Sequence, residues 1–370
     1  MTAMRERVVV AMSGGVDSSV AAALLVRQGY DVIGVTMKLF CYGAEVPDRP
    51  CCSLDSINDA RRVCESLGVP HYVLNLESAF GRDVVQNFVS EYAAGRTPIP
   101  CVRCNTFTKF RDLLHRAHAL DARWIATGHY AQVINGELYR GHDHSKDQSY
   151  FLWGIDRSVV RQMLLPVGEH TKVETRRVAH ELGLEAVAEK ADSQDICFVP
   201  DGDHAKVIAK HLGADTPALA PGAFVDSSGR VAGMHNGYAR FTIGQRRGLP
   251  GGYAQPMYVI AIRPDTRHVV IGPREELLGR GVMARDVNWL VDVPPTVGAH
   301  VQVQVRHRTS AAPAEVVRLD DDRIELALDQ PVSAITPGQS LVLYDGDRVL
   351  GGALIDSSRA ARSALPVLAA

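Results

Sequence analysis

No stretch of the 370-residue sequence is apolar over the length that a bilayer-spanning helix requires. The segment from Met1 to Arg7 leads straight into Val8-Val9-Val10, without the basic, apolar and small-residue order of an export signal. These absences predict a cytoplasmic protein with no membrane partner. An excess of charge of one sign is also lacking, since 40 Lys and Arg stand against 42 Asp and Glu. A nucleic-acid partner would therefore have to be met by basic residues gathered on one face. Beyond Cys197 there is no cysteine, and the seven up to that point are an odd number. Without an export signal, that count argues against a disulfide scaffold and for thiols used in chemistry, metal binding or packing. The pattern Gly-x-x-x-x-Gly-Lys-Ser/Thr is missing too, and with it the lysine of NTPases that cleave the γ-phosphate.

What is present reads as a globular chain, 46% hydrophobic and 22% charged, too long for one ordinary core. In the first half, strand-like runs at Val8–Met12, Asp31–Met37, His71–Leu76 and Trp124–Ala131 alternate with amphipathic runs at Ser18–Gln28, Leu54–Leu67, Arg82–Ala94 and Thr106–His118. This order predicts an α/β domain with a doubly wound parallel sheet and ligands beyond the C-terminal strand ends. A further helix is expected at Lys172–Leu182. From about Gly222 the pattern turns to short strands between Gly, Pro and Asp turns, including the strictly alternating His300–Val305. Glu275–Gly281 reads as a linker and Pro294-Pro295 as a break. The expected division is residues 1–205 (α/β), 206–280 (small and β-rich) and 281–370 (a β-barrel).

Ser13-Gly14-Gly15-Val16-Asp17-Ser18 follows the first strand and opens the first helix. Two glycines let the backbone turn its N–H groups onto an anion, and the helix N-terminus adds its positive dipole end. Ser13 and Ser18 bring hydroxyls, while Asp17 suits positioning of magnesium or bracing of the loop. In strand–loop–helix context the hexapeptide reads as a phosphate loop, not an ordinary β–α turn. It resembles the loop of the N-type ATP pyrophosphatases (the PP-loop enzymes), which cleave between the α- and β-phosphates and attach AMP to a carbonyl oxygen.

Among the cysteines, Cys64 shares helical spacing with Ile57, Ala60 and Leu67 and is expected in the core. Cys41, Cys51 and Cys52 match no common zinc spacing. Cys101 and Cys104 form a Cys-x-x-Cys after Thr97-Pro98-Ile99-Pro100, with a helix expected to begin at Asn105 or Thr106. That would put Cys104 at a helix N-terminus beside Arg103, where a thiolate is stabilised. Cys197, in Asp195-Ile196-Cys197-Phe198, reads from local pattern as a buried, inert thiol.

Further segments join these in order along nearly the whole chain: Thr36-Met37-Lys38, Ala126-Thr127-Gly128-His129-Tyr130, Lys146-Asp147-Gln148-Ser149-Tyr150-Phe151-Leu152, Phe241-Thr242-Ile243-Gly244-Gln245-Arg246-Arg247-Gly248 and Thr336-Pro337-Gly338-Gln339-Ser340. Together they resemble the bacterial tRNA-specific 2-thiouridylases, the MnmA family. The resemblance implies ATP-dependent 2-thiolation of the wobble uridine of tRNA, with ATP and Mg2+ as cofactors. A sulfur donor such as a cysteine desulfurase or sulfur carrier would be a second partner. It implies ATP contacts at Ala11, Met12, Ser13, Gly14, Gly15, Val16, Asp17, Ser18, Met37 and Gly128. By the same token Cys104 is the nucleophile and Cys197 carries the persulfide. The flipped base would meet Ile99, Pro100 and Cys101, and the tRNA would meet His129, Lys146, Asp147, Gln148 and Gln339. Commoner family members have Asp where this chain has Cys101. Three readings stay open for that thiol: a bystander, a backup, or an iron–sulfur ligand with Cys104 and Cys197. Other adenylating PP-loop enzymes and cluster-dependent tRNA thiolases are the rival readings.

Overall fold

The computed structural model describes residues 5–40, 54–190, 196–199 and 201–360. The chain divides into two compact units. One comprises Met1–Val85, Pro100–Gly202 and Asp347–Leu350, and the other Gln86–Ile99, Asp203–Gly346 and Gly351–Ala370.

In chain order, the first unit starts with β1 (Arg7–Ala11), α1 (Val16–Arg27), β2 (Asp31–Lys38), α2 (Leu54–Ser66), β3 (His71–Asn75) and α3 (Glu77–Phe80). A π-helical stretch, Gly81–Val85, follows α3 and runs on into α4 (Gln86–Ala93), which belongs to the second unit. The first unit resumes with α5 (Pro100–Arg103), π-helical Cys104–Phe110, α6 (Arg111–Ala119) and β4 (Trp124–Ala126). A hairpin of β5 (Ala131–Ile134) and β6 (Glu137–Arg140) comes next, then α7 (Arg157–Val160), β7 (Met163–Leu164), α8 (Lys172–Glu181) and α9 (Glu185–Ala188). Val8, Val9 and Val10 are wholly buried β-branched residues, as the centre of a sheet covered on both faces requires. The sheet order is β3-β2-β1-β4-β7, and every pairing is parallel. Strand order reverses at β1, between β2 and β4, and such a switch point opens a crevice at the strand C-termini.

Two expectations in this unit need correction. The run Trp124–Ala131 is not one strand: it leaves the sheet after Ala126, and Ala131 starts the hairpin. Asn135 and Gly136 both have positive φ (54° and 79°), as the tight turn of such a hairpin demands. The helix expected from Thr106 instead begins at Pro100, since proline at a first helical position loses no hydrogen bond.

The second unit holds two β-systems. After α10 (His204–Leu212), the four strands β8 (Pro221–Val225), β9 (Val231–Asn236), β10 (Tyr258–Arg263) and β11 (His268–Gly272) form a sheet in the order β10-β11-β8-β9. Then come β12 (Leu278–Trp289), β13 (His300–Gln304), β14 (Ala312–Leu319), β15 (Arg323–Ser333), β16 (Ser340–Asp345) and β17 (Arg348–Ala360). They pair antiparallel in the order β12-β15-β14-β13-β16-β17, and β17 returns to β12 to close a six-stranded barrel. The expected linker Glu275–Gly281 is not one, because Leu278 already starts β12. Its glycines fall at a register shift between Gly279 and Gly281, where the strand bends. Among the described residues, no helix is long and apolar enough to cross a membrane.

Candidate functional site

The crevice at the switch point is built by β1, β4 and the turns that leave them. Gly14 takes φ +72°, and a Cβ there would fall 2.2 Å from the Ser56 carbonyl oxygen, so only glycine fits. Helix α1 then starts without a side-chain cap, which leaves its first N–H groups for a ligand. The hydroxyls expected to serve the ligand also bond to the loop itself. Ser18 Oγ donates to the Gly15 carbonyl and accepts from the Ser13 N–H, and Ser13 Oγ lies 3.1 Å from it. Val16 buries its side chain in the core. Gly128 runs so close to the helix start that a Cβ would lie 2.5 Å from Asp17 C and Ser18 N. The break after β4 is what allows that approach.

Asp17 is a brace. Both of its oxygens accept from Lys172 Nζ, at 2.7 and 2.8 Å, and the Tyr130 hydroxyl lies 2.9 Å away. Helix α8 delivers Lys172 at its first position, fixed by a capping box of Thr171 and Glu174. Lys190 grips the loop from behind, donating to the Gly14 carbonyl at 2.9 Å and to the Asp59 carboxylate.

A cavity of about 290 Å³ opens over the loop. Ala11, Met12, Ser13, Asp17, Ser18, Met37 and Gly128 line it together with Pro100, Cys101, Cys104 and Cys197. Cys104 is buried with Leu39, Leu76, Phe80 and Val84, and Cys197 and Phe198 pack on that cluster. The two thiols expected to act together thus share one apolar wall, although more than ninety positions separate them. Cys101, one helical turn before Cys104, is exposed. The longer helix corrects the expected setting of Cys104, which lies in the second turn and not at the N-terminus. Arg103 is directed elsewhere, donating to the Asp83 carbonyl and stacking over Phe107. Cys64 is core as expected, and burial pushes its thiol up to about 11. Cys41, Cys51 and Cys52 lie outside the described residues.

The residues expected to meet tRNA separate by position. His129 lines the cavity, its ring 5.7 Å from Phe110 and bonded to Thr127 Oγ1. Burial first, then the nearby charge of Lys109, pushes its pKa down to about 3, so it is a neutral ring and not a surface cation. Gln148 also lines the cavity and accepts from the Tyr130 N–H. Lys146 is exposed. Asp147 is spent internally on Arg140, the Gly141 N–H and Ser149. In the second unit, the Gln339 amide donates to the Thr97 and Pro98 carbonyls, beside buried Ile99. The hydrogen bonds given for Asp147 and Gln339 are internal to the protein. Lys109, Lys172 and Lys190 were not singled out in the sequence, where each reads as an ordinary polar position on or beside a helix.

The donor set suits a nucleotide phosphate chain better than a metal cage. Among the described residues, no group of three or more His, Cys, Asp or Glu is placed to hold a metal ion. Cys101, Cys104 and Cys197 are therefore not gathered as cluster ligands. Asp17, engaged with Lys172, fits the bracing role over the magnesium one.

The family described as tRNA methyl transferase HUP domain matches residues 6–201. The tRNA methyl transferase PRC-barrel domain matches 204–273, and the aminomethyltransferase β-barrel domain 279–355. A protein of Carboxydothermus hydrogenoformans named tRNA-specific 2-thiouridylase MnmA is 45% identical over 363 residues, covering 95% of this chain and 98% of that one. Its namesake from Rhodospirillum centenum is 48% identical over 362 residues, 94% of this chain and 91% of the other. That from Paracoccus denitrificans is 47% identical over 362 residues, with 95% and 92% covered.

Proposed function

The chain belongs to the MnmA family of tRNA-specific 2-thiouridylases, and on that premise we propose that it converts the wobble uridine of tRNA to 2-thiouridine at the expense of ATP. The glycine loop and the first N–H groups of α1 would hold the phosphates of ATP, and Mg2+ would supply positive charge to them. A uridine flipped from the anticodon loop, where bases stack loosely, enters beside Pro100 and Cys101. The uracil 2-oxygen attacks the α-phosphate, pyrophosphate leaves, and C2 now bears a good leaving group.

Cys197 arrives at this step as a persulfide, loaded by a donor such as a cysteine desulfurase or sulfur carrier. Its terminal sulfur attacks C2 and AMP departs with the former 2-oxygen. Cys104 then attacks Sγ of Cys197, breaking the S–S bond, leaving sulfur on C2 and forming a Cys104–Cys197 disulfide. Two electrons from an external thiol reductant restore the thiols. The observation that carries this reading is the shared wall of Cys104 and Cys197 over a phosphate loop. His129 and Gln148 would shape the base pocket, and exposed Lys146 would meet the tRNA backbone. Divisions near residues 205 and 280 separate the catalytic, central and barrel parts.

The test is thiolated uridine formed by wild type, Cys104→Ser, Cys197→Ser and Cys101→Ser, with pyrophosphate release and iron per chain measured alongside. Cys104→Ser and Cys197→Ser should lose thiolation and keep tRNA-dependent pyrophosphate release, because a hydroxyl neither carries a persulfide nor forms a disulfide. Cys101→Ser should cost little. An inactive Cys101→Ser variant beside an active wild type with stoichiometric iron would replace the persulfide route with a cluster.

A further inference from the structure

The glycine loop offers backbone N–H groups to an anion, but no cation of its own. Two of the lysines around it do not line the cavity. Lys172 is locked onto Asp17, and Lys190 holds the carbonyl side of the turn through Gly14. Among the described residues lining the cavity, Lys109 is the one lysine or arginine.

Its place there follows from the backbone. Lys109 stands five residues after Cys104, and at ~100° per residue an α-helix would carry it about 140° round from the thiol. The stretch Cys104–Phe110 is instead π-helical, and its i→i+5 closure stacks residues five apart on one face. Cys104 and Lys109 therefore reach the same cavity. π-helical turns are rare and are frequently found at functional sites. His129, whose pKa the nearby Lys109 charge helps to lower, lines the cavity as well and follows Gly128, which runs close to Asp17 and Ser18. Lys109 lines the same cavity as Ser13, Asp17, Ser18 and Gly128, whereas the immediate surroundings of Cys104 are apolar.

We propose that Lys109 holds the phosphate chain of the bound nucleotide, supplying the positive charge that the glycine loop lacks. The proposal rests on the thiouridylase reading only for the identity of the nucleotide. During adenylation this charge would stay with the phosphates as pyrophosphate leaves, a task that N–H dipoles share but do not complete.

The experiment measures binding of ATP and of adenosine to the full chain by titration calorimetry, for wild type, Lys109→Met and Lys109→Arg. Loss of one charge-assisted contact should weaken ATP binding roughly 10- to 100-fold in the Met variant. Adenosine affinity should stay within about twofold, and the Arg variant should recover most of the loss. Unchanged ATP affinity in a folded Met variant overturns the proposal, as does an equal loss for adenosine, which would mark a structural role. Alkylation of Cys104 against pH gives a second readout. A profile shifted upward in the Met variant, with ATP affinity intact, would assign Lys109 to the thiol and overturn the phosphate assignment. A wild type that binds ATP through Lys109 yet forms no thiouridine would sink the thiouridylase reading and leave Lys109 standing.

Discussion

Changing Asp17 to Ala should destabilise the first unit before it reports on chemistry. The Lys172 side chain is only 10% exposed, and its ammonium is held by both oxygens of a carboxylate that is 31% exposed. Breaking a fully buried pair from one side costs ~3–5 kcal/mol, and breaking an exposed one ~0–1 kcal/mol. With the lysine buried and the carboxylate partly open to water, about 2 kcal/mol is expected. The Tyr130 hydroxyl keeps Thr175 at 2.9 Å and adds little to the loss. Such a change lowers Tm by roughly 4–8 °C for a unit of this size. Calorimetric melting of wild type, Asp17→Ala, Lys172→Met and the double variant forms a cycle. Removing both charges should restore about 1–2 kcal/mol relative to the sum of the singles. Additive losses, or an Asp17→Ala melting temperature equal to wild type, would refute the idea that Asp17 exists to hold Lys172. Pyrophosphate release should be compared well below the variant's own Tm, so that lost activity is not simply lost fold.

Gly128→Ala should abolish ATP binding in titration calorimetry, because its Cβ meets backbone atoms at 2.5 Å that no side-chain rotation can relieve; wild-type ATP affinity would show that the loop and the β4 turn can part. His129 is held neutral in the folded state, with its pKa lowered from 6.5 to about 3, while the unfolded chain takes up a proton near 6.5. Its contribution is therefore intact above that pH and is lost as pH falls toward 3, at up to about 1.4 kcal/mol per unit. Denaturant melts of His129→Gln should show a shallower loss of stability from pH 6 to 5 than wild type, and parallel slopes would contradict the burial.

The phosphate loop and the parallel sheet were legible because they are local: β-branched Val8–Val10, then Gly14-Gly15 against a helix start. The helix of Cys104 was misjudged because Pro98 and Pro100 both suggest extended chain, although the second is a sound first helical residue. Asn135-Gly136 is a strong hairpin signal, yet the apolar run Trp124–Ala131 masked the break at Gly128 that precedes it. Nothing local marks Lys172 as a partner for Asp17, because 155 positions separate them and only the fold joins them. Lys109 carried a weak signal, its five-residue spacing from Cys104, which has meaning only once the π-helical turn is seen. Nor does the sequence show that Asp147 and Gln339, expected to meet tRNA, also hydrogen-bond to the protein's own backbone.

The closure of the barrel sets an order of events during synthesis. Gly279 pairs with Ala360 and Met283 with Ser357, so β12 waits for the last described strand before its outer side is covered. On a ribosome the chain emerges N-terminus first, and contacts of such long sequence separation form late. Until β17 is released, β12 and β16 both present bare backbone edges, the kind that recruit strands from other chains. The nascent protein thus carries two unpaired strand edges until β17 has left the tunnel, at a stage when the loop, the parallel sheet and both proposed catalytic thiols have already been made.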